Sequence, residues 1–156
     1  MDERDVDNAG VTIPPPLLYL VPLLLGLVIQ RIRRFSILPN RFARPLGALL
    51  LVTGLATNFW GVRTMRRAHT PLNPTQPVKQ LVTSGPFRYS RNPLYTSMTF
   101  IYLGIANLVN TVWPLLFLPA ILLTMRRRVI GREEQYLERK FGNEYLEYKQ
   151  GVRRWI

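Results

Sequence analysis

Residues 45–62 read PLGALLLVTGLATNFWGV, and no charged side chain interrupts them. Three further uncharged, apolar segments occur in the chain, at residues 13–29, 93–109 and 111–125. A helix that spans a membrane needs about 20 predominantly apolar residues, with a range of about 17–25. Three of the four segments reach that range, and residues 111–125 fall short of it. The chain therefore reads as a set of membrane helices.

A soluble bundle of buried helices is the alternative interpretation. A helix at the surface of a soluble protein normally carries charged residues on its outer face, and these four segments carry none. Glycine and proline also recur inside them, and both are better tolerated in membrane helices than in soluble ones. These residues are Pro22, Gly26, Gly54, Gly104, Pro114 and Pro119. The pattern favours an all-α, polytopic membrane bundle of about four transmembrane helices.

The charges are segregated along the chain, and this limits the chemistry of the central body. The formal net charge is +12, yet no carboxylate side chain occurs between Asn8 and Arg132. A hydrolase with paired carboxylates, or a carboxylate-bound metal, needs acids there. The chain has no cysteine and its one histidine is His69, so we expect no metal site. The basic residues flank apolar runs, which indicates a membrane surface and not nucleic acid.

The segments define one membrane domain over residues 1–156. Its parts are two transmembrane segments (1–62), a cytosolic loop (63–92), a transmembrane hairpin (93–125) and an amphipathic tail (126–156). Apolar and aromatic residues recur at intervals of three and four through this tail, with an interruption near Gly142. That spacing is typical of a helix lying on the cytoplasmic membrane surface. The acidic N-terminus, without a small-residue cleavage site, argues against a cleaved signal peptide.

The orientation of the bundle follows from its basic loops, with one conflict. Residues 63–92 and the tail are strongly basic, which predicts that both are cytoplasmic. Four spans then leave the connection between the first two segments on the opposite side. That connection carries Arg31, Arg33, Arg34, Arg41 and Arg44. Either the rule fails there, or one segment does not cross fully.

Three polar clusters lie on the same predicted face of the membrane. They are the proline-rich loop (residues 68–93), the Arg91-Asn92-Pro93 sequence at its end and the pair Glu133-Glu134. Asn92 and Pro93 suit the N-cap and first turn of a helix, whose free amide groups attract a carboxylate. With the glutamates facing an ammonium, the clusters suit a zwitterionic amino acid. Each cluster also has a structural interpretation, as a helix cap that anchors lipid phosphate or as a solvated, ion-paired helix face.

Three motifs, LVTSGPFRYSRNPLY (residues 81–95), EEQYLERKFGNEYLEY (133–148) and VRRW (152–155), occur in this order. Residues 63–156 resemble the superfamily of membrane methyltransferases that includes isoprenylcysteine carboxyl methyltransferases and phospholipid (phosphatidylethanolamine) N-methyltransferases. The resemblance implies S-adenosylmethionine bound at the cytosolic mouth of the bundle, and it implies which residues bind it. These are Leu81, Val82, Gly85, Arg91, Asn92 and Tyr95, with Glu133 and Glu134 on the methionine ammonium. Asn92 stands where eukaryotic members often have histidine, and it cannot carry a proton.

The resemblance predicts methyl transfer from S-adenosylmethionine to a lipid or lipidated acceptor that enters from the bilayer. Arg154, facing an anionic substrate group, and Tyr95 are the expected catalytic residues. Carboxyl O-methylation of an isoprenylcysteine-like substrate is the leading subclass, because a carboxylate needs no base and positioning and desolvation suffice. A phospholipid amine would lose its proton to His69, Tyr95, a tail tyrosine or water.

Other acceptors and another class of protein stay open. A different hydrophobic small molecule is a third possible acceptor, and a non-catalytic lipid-binding membrane protein is the alternative outside enzymes. Arginine far outnumbers lysine, which suggests a GC-rich bacterial genome. The expected location is therefore the bacterial inner membrane, with the cofactor site and C-terminus in the cytoplasm.

Overall fold

The computed structural model describes residues 7–36, 38–73 and 75–155. Its α-helices are α1 (Pro15–Ile32), α2 (Asn40–Arg67), α3 (Pro93–Leu108), α4 (Trp113–Thr124), α5 (Gly131–Phe141) and α6 (Asn143–Gly151). A short 3₁₀ helix, Gly85–Arg88, precedes α3, and a π-helical turn, Met125–Ile130, joins α4 to α5. The described ranges contain no β-strand, which confirms the all-α class. The acidic residues before Asp7 lie outside these ranges.

The first four helices run back and forth between two ends of the bundle. At one end, the far end, the Asn110 side-chain amide donates to the Leu38 carbonyl at 2.6 Å. There too, the Trp113 indole donates to the Arg33 carbonyl at 2.7 Å. The opposite end, the cavity end, brings together the start of α1, the end of α2 and the start of α3. The arginine-rich connection between α1 and α2 therefore lies at the far end.

Two of these helices, α1 and α2, are long and apolar enough to cross a membrane. Helices α3 and α4 have 16 and 12 residues, less than a full span. Both α1 and α2 also leave rows of large apolar side chains uncovered. Examples on α1 are Leu20, Leu24 and Val28, and on α2 Leu49, Val52 and Phe59. Apolar surface of this extent marks contact with lipid or with another protein.

Helix α2 packs against α3 through glycines spaced seven residues apart. A Cβ atom at Gly47 would lie 2.6 Å from the Leu108 nitrogen, and one at Gly54 would lie 2.9 Å from the Ser97 carbonyl oxygen. From the other side, Gly104 of α3 faces the backbone of α2. Small residues at such positions let helix backbones approach closely, as membrane helices often do. The close contact fixes where α3 begins relative to the end of α2.

Replacing Gly104 with alanine is expected to destabilise the bundle. The added Cβ would lie 2.7 Å from the Leu51 nitrogen and 2.9 Å from its Cα, so the two backbones must separate. Overpacking of this kind costs about 1–3 kcal/mol, which outweighs the helix-propensity gain of up to about 1 kcal/mol. Thermal unfolding in detergent measures the change. Gly151→Ala is the control, because nothing lies within 4 Å of its added Cβ; equal melting temperatures for both variants would contradict the packing argument.

The helices extend beyond the apolar segments seen in the sequence. Helix α2 continues through Arg63 and ends at Arg67, because cationic side chains near a helix C-terminus interact favourably with its dipole. Helix α4 passes through the π-helical turn into α5 without leaving helical backbone angles. The tail then forms two helices, α5 and α6, which Gly142 separates with a φ of 53°. The sequence places an interruption at this position.

Candidate functional site

A cavity at the cavity end is bounded by the start of α3, the loop before it, and helices α5 and α6. We call it the first cavity. Its volume is about 130 Å³. By the same measure, a cavity that holds one water molecule needs roughly 10–15 Å³. It therefore has room for a ligand of many atoms. Its walls combine apolar side chains with the ionisable residues Arg91, Glu133 and Glu134.

The start of α3 is held in place by the end of the chain. Residues 152–155, the C-terminal strap, cross the turn that precedes α3. The Arg91 amide donates to the Arg153 carbonyl at 2.9 Å, and the Asn92 side chain donates to the Arg154 carbonyl at 2.9 Å. Asn92 does occupy the N-cap position, as predicted, but its side chain makes no cap hydrogen bond. The amide is used to hold the strap instead.

Glu134 is neutralised by two arginines. Its carboxylate accepts from Arg154 Nε at 2.9 Å and from Arg154 Nη2 at 2.5 Å. Arg91 Nη1 lies 3.3 Å from the same carboxylate. A two-pronged arginine contact of this kind is strong and directional. Glu134 therefore ties the strap and the start of α3 to α5, and its charge is already balanced.

Glu133, the adjacent residue, has a different environment. Its Oε1 accepts a hydrogen bond of 2.5 Å from the Tyr95 hydroxyl. The pKa of the Glu133 carboxyl is raised to about 7. Burial is the main cause, the Tyr95 hydrogen bond lowers the pKa, and the nearby Glu134 carboxylate makes a smaller contribution that raises it. No cationic side chain among the described residues is paired with Glu133. It is the carboxylate in this cavity that can take an added cation.

Arg91 leaves one buried donor unused. Its Nε is buried and has no hydrogen-bond partner among the described residues, while Nη1 contacts Glu134 and lies 3.5 Å from the Tyr145 hydroxyl. Buried donors are almost always paired, so an unpaired one in a cavity wall suits an acceptor atom of a ligand. The first cavity thus offers a cationic donor at Arg91 and an anionic acceptor at Glu133.

Residues 7–10 lie beside the cavity. Ala9 lines it, and the Arg132 side chain donates to the Gly10 carbonyl. Upstream, Asp7 accepts hydrogen bonds from the Tyr136 hydroxyl at 2.8 Å and from Lys140 at 2.7 Å. Residues 7–10 are therefore attached to α5 at several points.

Most of the residues predicted for the site meet in the first cavity. Those that line it are Leu81, Val82, Arg91, Asn92, Tyr95, Glu133 and Glu134. Gly85 and Arg154 are not among the lining residues. Gly85 has a φ of 61° and packs against Thr64 and Trp60 of α2, where it shapes the turn before α3. Arg154 lies behind the wall, on Glu134.

Sequence reasoning did not assign several other lining residues. They include Ala9, Thr70, Asn73, Gln80, Phe87, Tyr145 and Tyr148. Tyr145 and Tyr148 had a signal, since both stand in the motif EEQYLERKFGNEYLEY (residues 133–148). The Tyr148 hydroxyl donates to the Phe87 carbonyl at 2.7 Å. Ala9 had no such signal in the sequence, because its position depends on contacts with residues more than a hundred positions away.

Comparison with known proteins connects this architecture to a family. The family model described as phospholipid methyltransferase matches residues 42–144, which span α2, α3, α4, α5 and the loop between α2 and α3. An uncharacterized protein of Haemophilus influenzae is 40% identical over 63 residues, which cover 40% of this chain and 100% of that protein. No solved structure matches the chain. The superfamily resemblance seen in the sequence is confirmed, and the chain belongs to the phospholipid methyltransferase family, a family of membrane methyltransferases that act on lipids.

Proposed function

We propose that the protein transfers a methyl group from S-adenosylmethionine, held in the first cavity, to a lipid acceptor. The observation that carries the proposal is that Arg91 and Glu133 line the same cavity. Arg91 has a buried Nε donor without a hydrogen-bond partner, and Glu133 has no cationic partner, among the residues that the structure describes. A free amino acid group presents one carboxylate and one ammonium, and these two residues match it in charge. A lipid phosphate alone has no use for the acid.

The rest of the cavity suits the nucleoside part of this cofactor. Leu81, Val82 and Leu137 offer apolar surface for a purine ring, and Asn73 and Gln80 offer hydrogen-bonding groups for ribose hydroxyls. Tyr95 holds the Glu133 carboxylate in a fixed position. When bound, S-adenosylmethionine supplies an electrophilic methyl group on sulfur. The residues of the chain bind, orient and exclude water, which can provide most of the acceleration of such a displacement.

In this proposal Glu133 and Glu134 have different roles, although the sequence predicts that both bind the ammonium. Glu133 holds the ammonium, and Glu134 supports the site through Arg91 and Arg154. Arg154 then acts as a positioning residue. Arg154 is then engaged by Glu134 and is not the cation that binds the carboxylate of an isoprenylcysteine-like substrate. Carboxyl O-methylation therefore gains no support over phospholipid amine N-methylation. We therefore keep the acceptor at the level of a lipid.

The orientation in the membrane is also a proposal. We infer four crossings, with α3 and α4 completing the bundle that α1 and α2 begin, and with the cavity end and the C-terminus in the cytoplasm. The basic residues 126–128 at the cavity end support this sidedness. The arginines of the first connection then face the other side, where they can contact lipid phosphates.

Binding of the product S-adenosylhomocysteine is expected to weaken as the pH falls below about 7. Its ammonium needs ionised Glu133, whose carboxyl has a pKa of about 7 in the folded protein, so affinity drops by up to about tenfold per pH unit. Stability changes in the opposite direction. Because the pKa of the Glu133 carboxyl is raised in the folded state, its contribution to the free energy of unfolding is complete below about pH 4.5. That contribution is lost as the pH rises through about 7. Calorimetric titration between pH 5.5 and 8.5 measures the affinity, and a flat profile would contradict the assignment.

The activity itself is tested with membranes from cells that express the protein. Incubation with S-adenosylmethionine labelled in its methyl group is expected to move label into the organic-soluble fraction. Membranes carrying equal amounts of the Glu133→Gln variant serve as the control. Equal labelling of lipid by both preparations would rule out the proposed site, and no labelling by the wild type across added lipid extracts would count against the activity.

A further inference from the structure

Different parts of the chain form the two sides of the first cavity. Residues 68–84, which we call the cavity loop, line one side with Asn73, Gln80, Leu81 and Val82. Helix α5 lines another side with Glu133. In the proposed function the nucleoside lies against the cavity loop and the ammonium against Glu133. A ligand that contacts both needs the loop and the helix at a fixed separation.

One hydrogen bond joins the cavity loop to α5. The Val78 amide donates to the Tyr136 hydroxyl at 3.1 Å, and among the described residues no other hydrogen bond links this loop to α5 or α6. Other loop contacts are local, such as the Gln80 side chain, which donates to the Ala68 carbonyl at 2.8 Å. Val78 also packs on the apolar cluster that contains Tyr136. Because apolar contact is non-directional, the hydrogen bond is what fixes the position of the loop.

The Tyr136 hydroxyl is fully used within the protein. Tyr136 is 5% exposed. Its hydroxyl donates to the Asp7 carboxylate at 2.8 Å and lies 3.1 Å from the Lys140 ammonium, which donates to it. A tyrosine hydroxyl has one proton to donate and lone pairs that accept, so the contact with Asp7 leaves the lone pairs for Val78 and Lys140. The ring lines the first cavity, but the hydroxyl is not available to a ligand.

We propose that Tyr136 is a positioning residue, whose hydroxyl holds the cavity loop on α5 and thereby sets the affinity of the first cavity for the cofactor. This inference rests on the proposed function. A loop that is already held in place does not have to be ordered when the ligand binds, and this raises affinity. Without the hydroxyl, the Val78 amide loses its partner, and the nucleoside side of the cavity is no longer fixed relative to Glu133.

The test replaces Tyr136 with phenylalanine, which removes the hydroxyl and keeps the ring that packs with Val78. In calorimetric titration at pH 8 the dissociation constant for S-adenosylhomocysteine is expected to rise about tenfold. Hydrogen exchange of the ligand-free protein is expected to show the Val78 amide exchanging about tenfold faster. Wild-type affinity in Tyr136→Phe would overturn the inference, and so would weaker binding with unchanged exchange at Val78.

Tyr102→Phe is the matched control for a general loss of stability. Tyr102 is 1% exposed, its hydroxyl donates to the Pro114 carbonyl at 2.6 Å, and it does not line the first cavity. This variant loses a buried hydroxyl of the same kind, so it is expected to be less stable than the wild type. Its affinity for S-adenosylhomocysteine and its exchange at Val78 should be unchanged. An equal loss of affinity in Tyr102→Phe and Tyr136→Phe would mean that binding follows stability, against the inference.

Asp7→Asn separates the cavity loop from the N-terminal segment that shares the Tyr136 hydroxyl. The Asp7 side chain is 56% exposed, and the variant keeps the hydroxyl that accepts from Val78. It is expected to bind S-adenosylhomocysteine like the wild type. Binding weakened as much as in Tyr136→Phe would assign the effect to residues 7–10 and overturn the inference. A wild-type protein that does not bind S-adenosylhomocysteine would remove the proposed function and this inference together.

Discussion

Replacing Glu134 with glutamine is expected to lower the free energy of unfolding by about 3 kcal/mol. The side chains of Glu134 and Arg91 are each 10% exposed, and the variant leaves both Arg91 and Arg154 without an anion. Removing one partner of a buried ion pair costs about 3–5 kcal/mol. We place the effect at the low end because Arg154 is 32% exposed. Thermal and denaturant unfolding in detergent measure the loss, and it appears without any ligand present.

Glu138 of the same helix supplies the matched control. It pairs with Lys149 at 3.0 Å, but the two side chains are 43% and 36% exposed. Exposed ion pairs contribute about 0–1 kcal/mol, so Glu138→Gln is expected to unfold almost like the wild type. A Glu134→Gln variant as stable as Glu138→Gln would mean that the two arginines do not depend on Glu134.

Replacing Glu133 with glutamine is expected to have the opposite profile, with the fold retained and ligand affinity lost. Glutamine keeps an oxygen that accepts the Tyr95 hydrogen bond, and it removes the cost of burying a charge. Without the carboxylate, the ligand ammonium loses a charge-assisted hydrogen bond worth about 1.5–3 kcal/mol. The dissociation constant for S-adenosylhomocysteine should therefore rise by roughly 10–100-fold.

Calorimetry on the Glu133→Gln variant, with its unfolding curve recorded alongside, separates binding from folding. Glu144→Gln is the control for a general loss of negative charge, because Glu144 is an exposed residue in the first turn of α6 and does not line the first cavity. Its affinity should equal that of the wild type. If Glu133→Gln also binds normally, the ammonium is held elsewhere and the division of roles between Glu133 and Glu134 is wrong.

Much of the helical architecture follows from local sequence. Each uncharged apolar segment became a helix, because length and the absence of charge are local properties. The ends were less well predicted, since a charged residue stops an apolar segment but does not stop a helix, as Arg63 and Arg67 of α2 illustrate. The glycine spacing in α2 was a signal available in the sequence. Gly47, Gly54 and Gly61 recur every seven residues, and only the structure shows that all three face α3.

The separation of roles within the glutamate pair could not be read from the sequence. Neighbouring residues on a helix point in different directions, which suggests unequal partners but does not identify them. Arg154 reaches Glu134 because the C-terminal strap folds back over Asn92. Asn92 and Arg154 are 62 positions apart in the sequence, so the path of the strap is a tertiary feature. A groove lined by the segment before α1, the end of α2, the loop before α3 and the start of α3 is equally non-local.

The most direct measurement is calorimetric titration of the detergent-purified wild-type protein with S-adenosylhomocysteine at pH 8, where Glu133 is ionised. The central claim is that the first cavity holds this ligand between Arg91 and Glu133, and it predicts saturable binding with one ligand per chain. A protein that unfolds cooperatively and yet binds none of the ligand would contradict the claim.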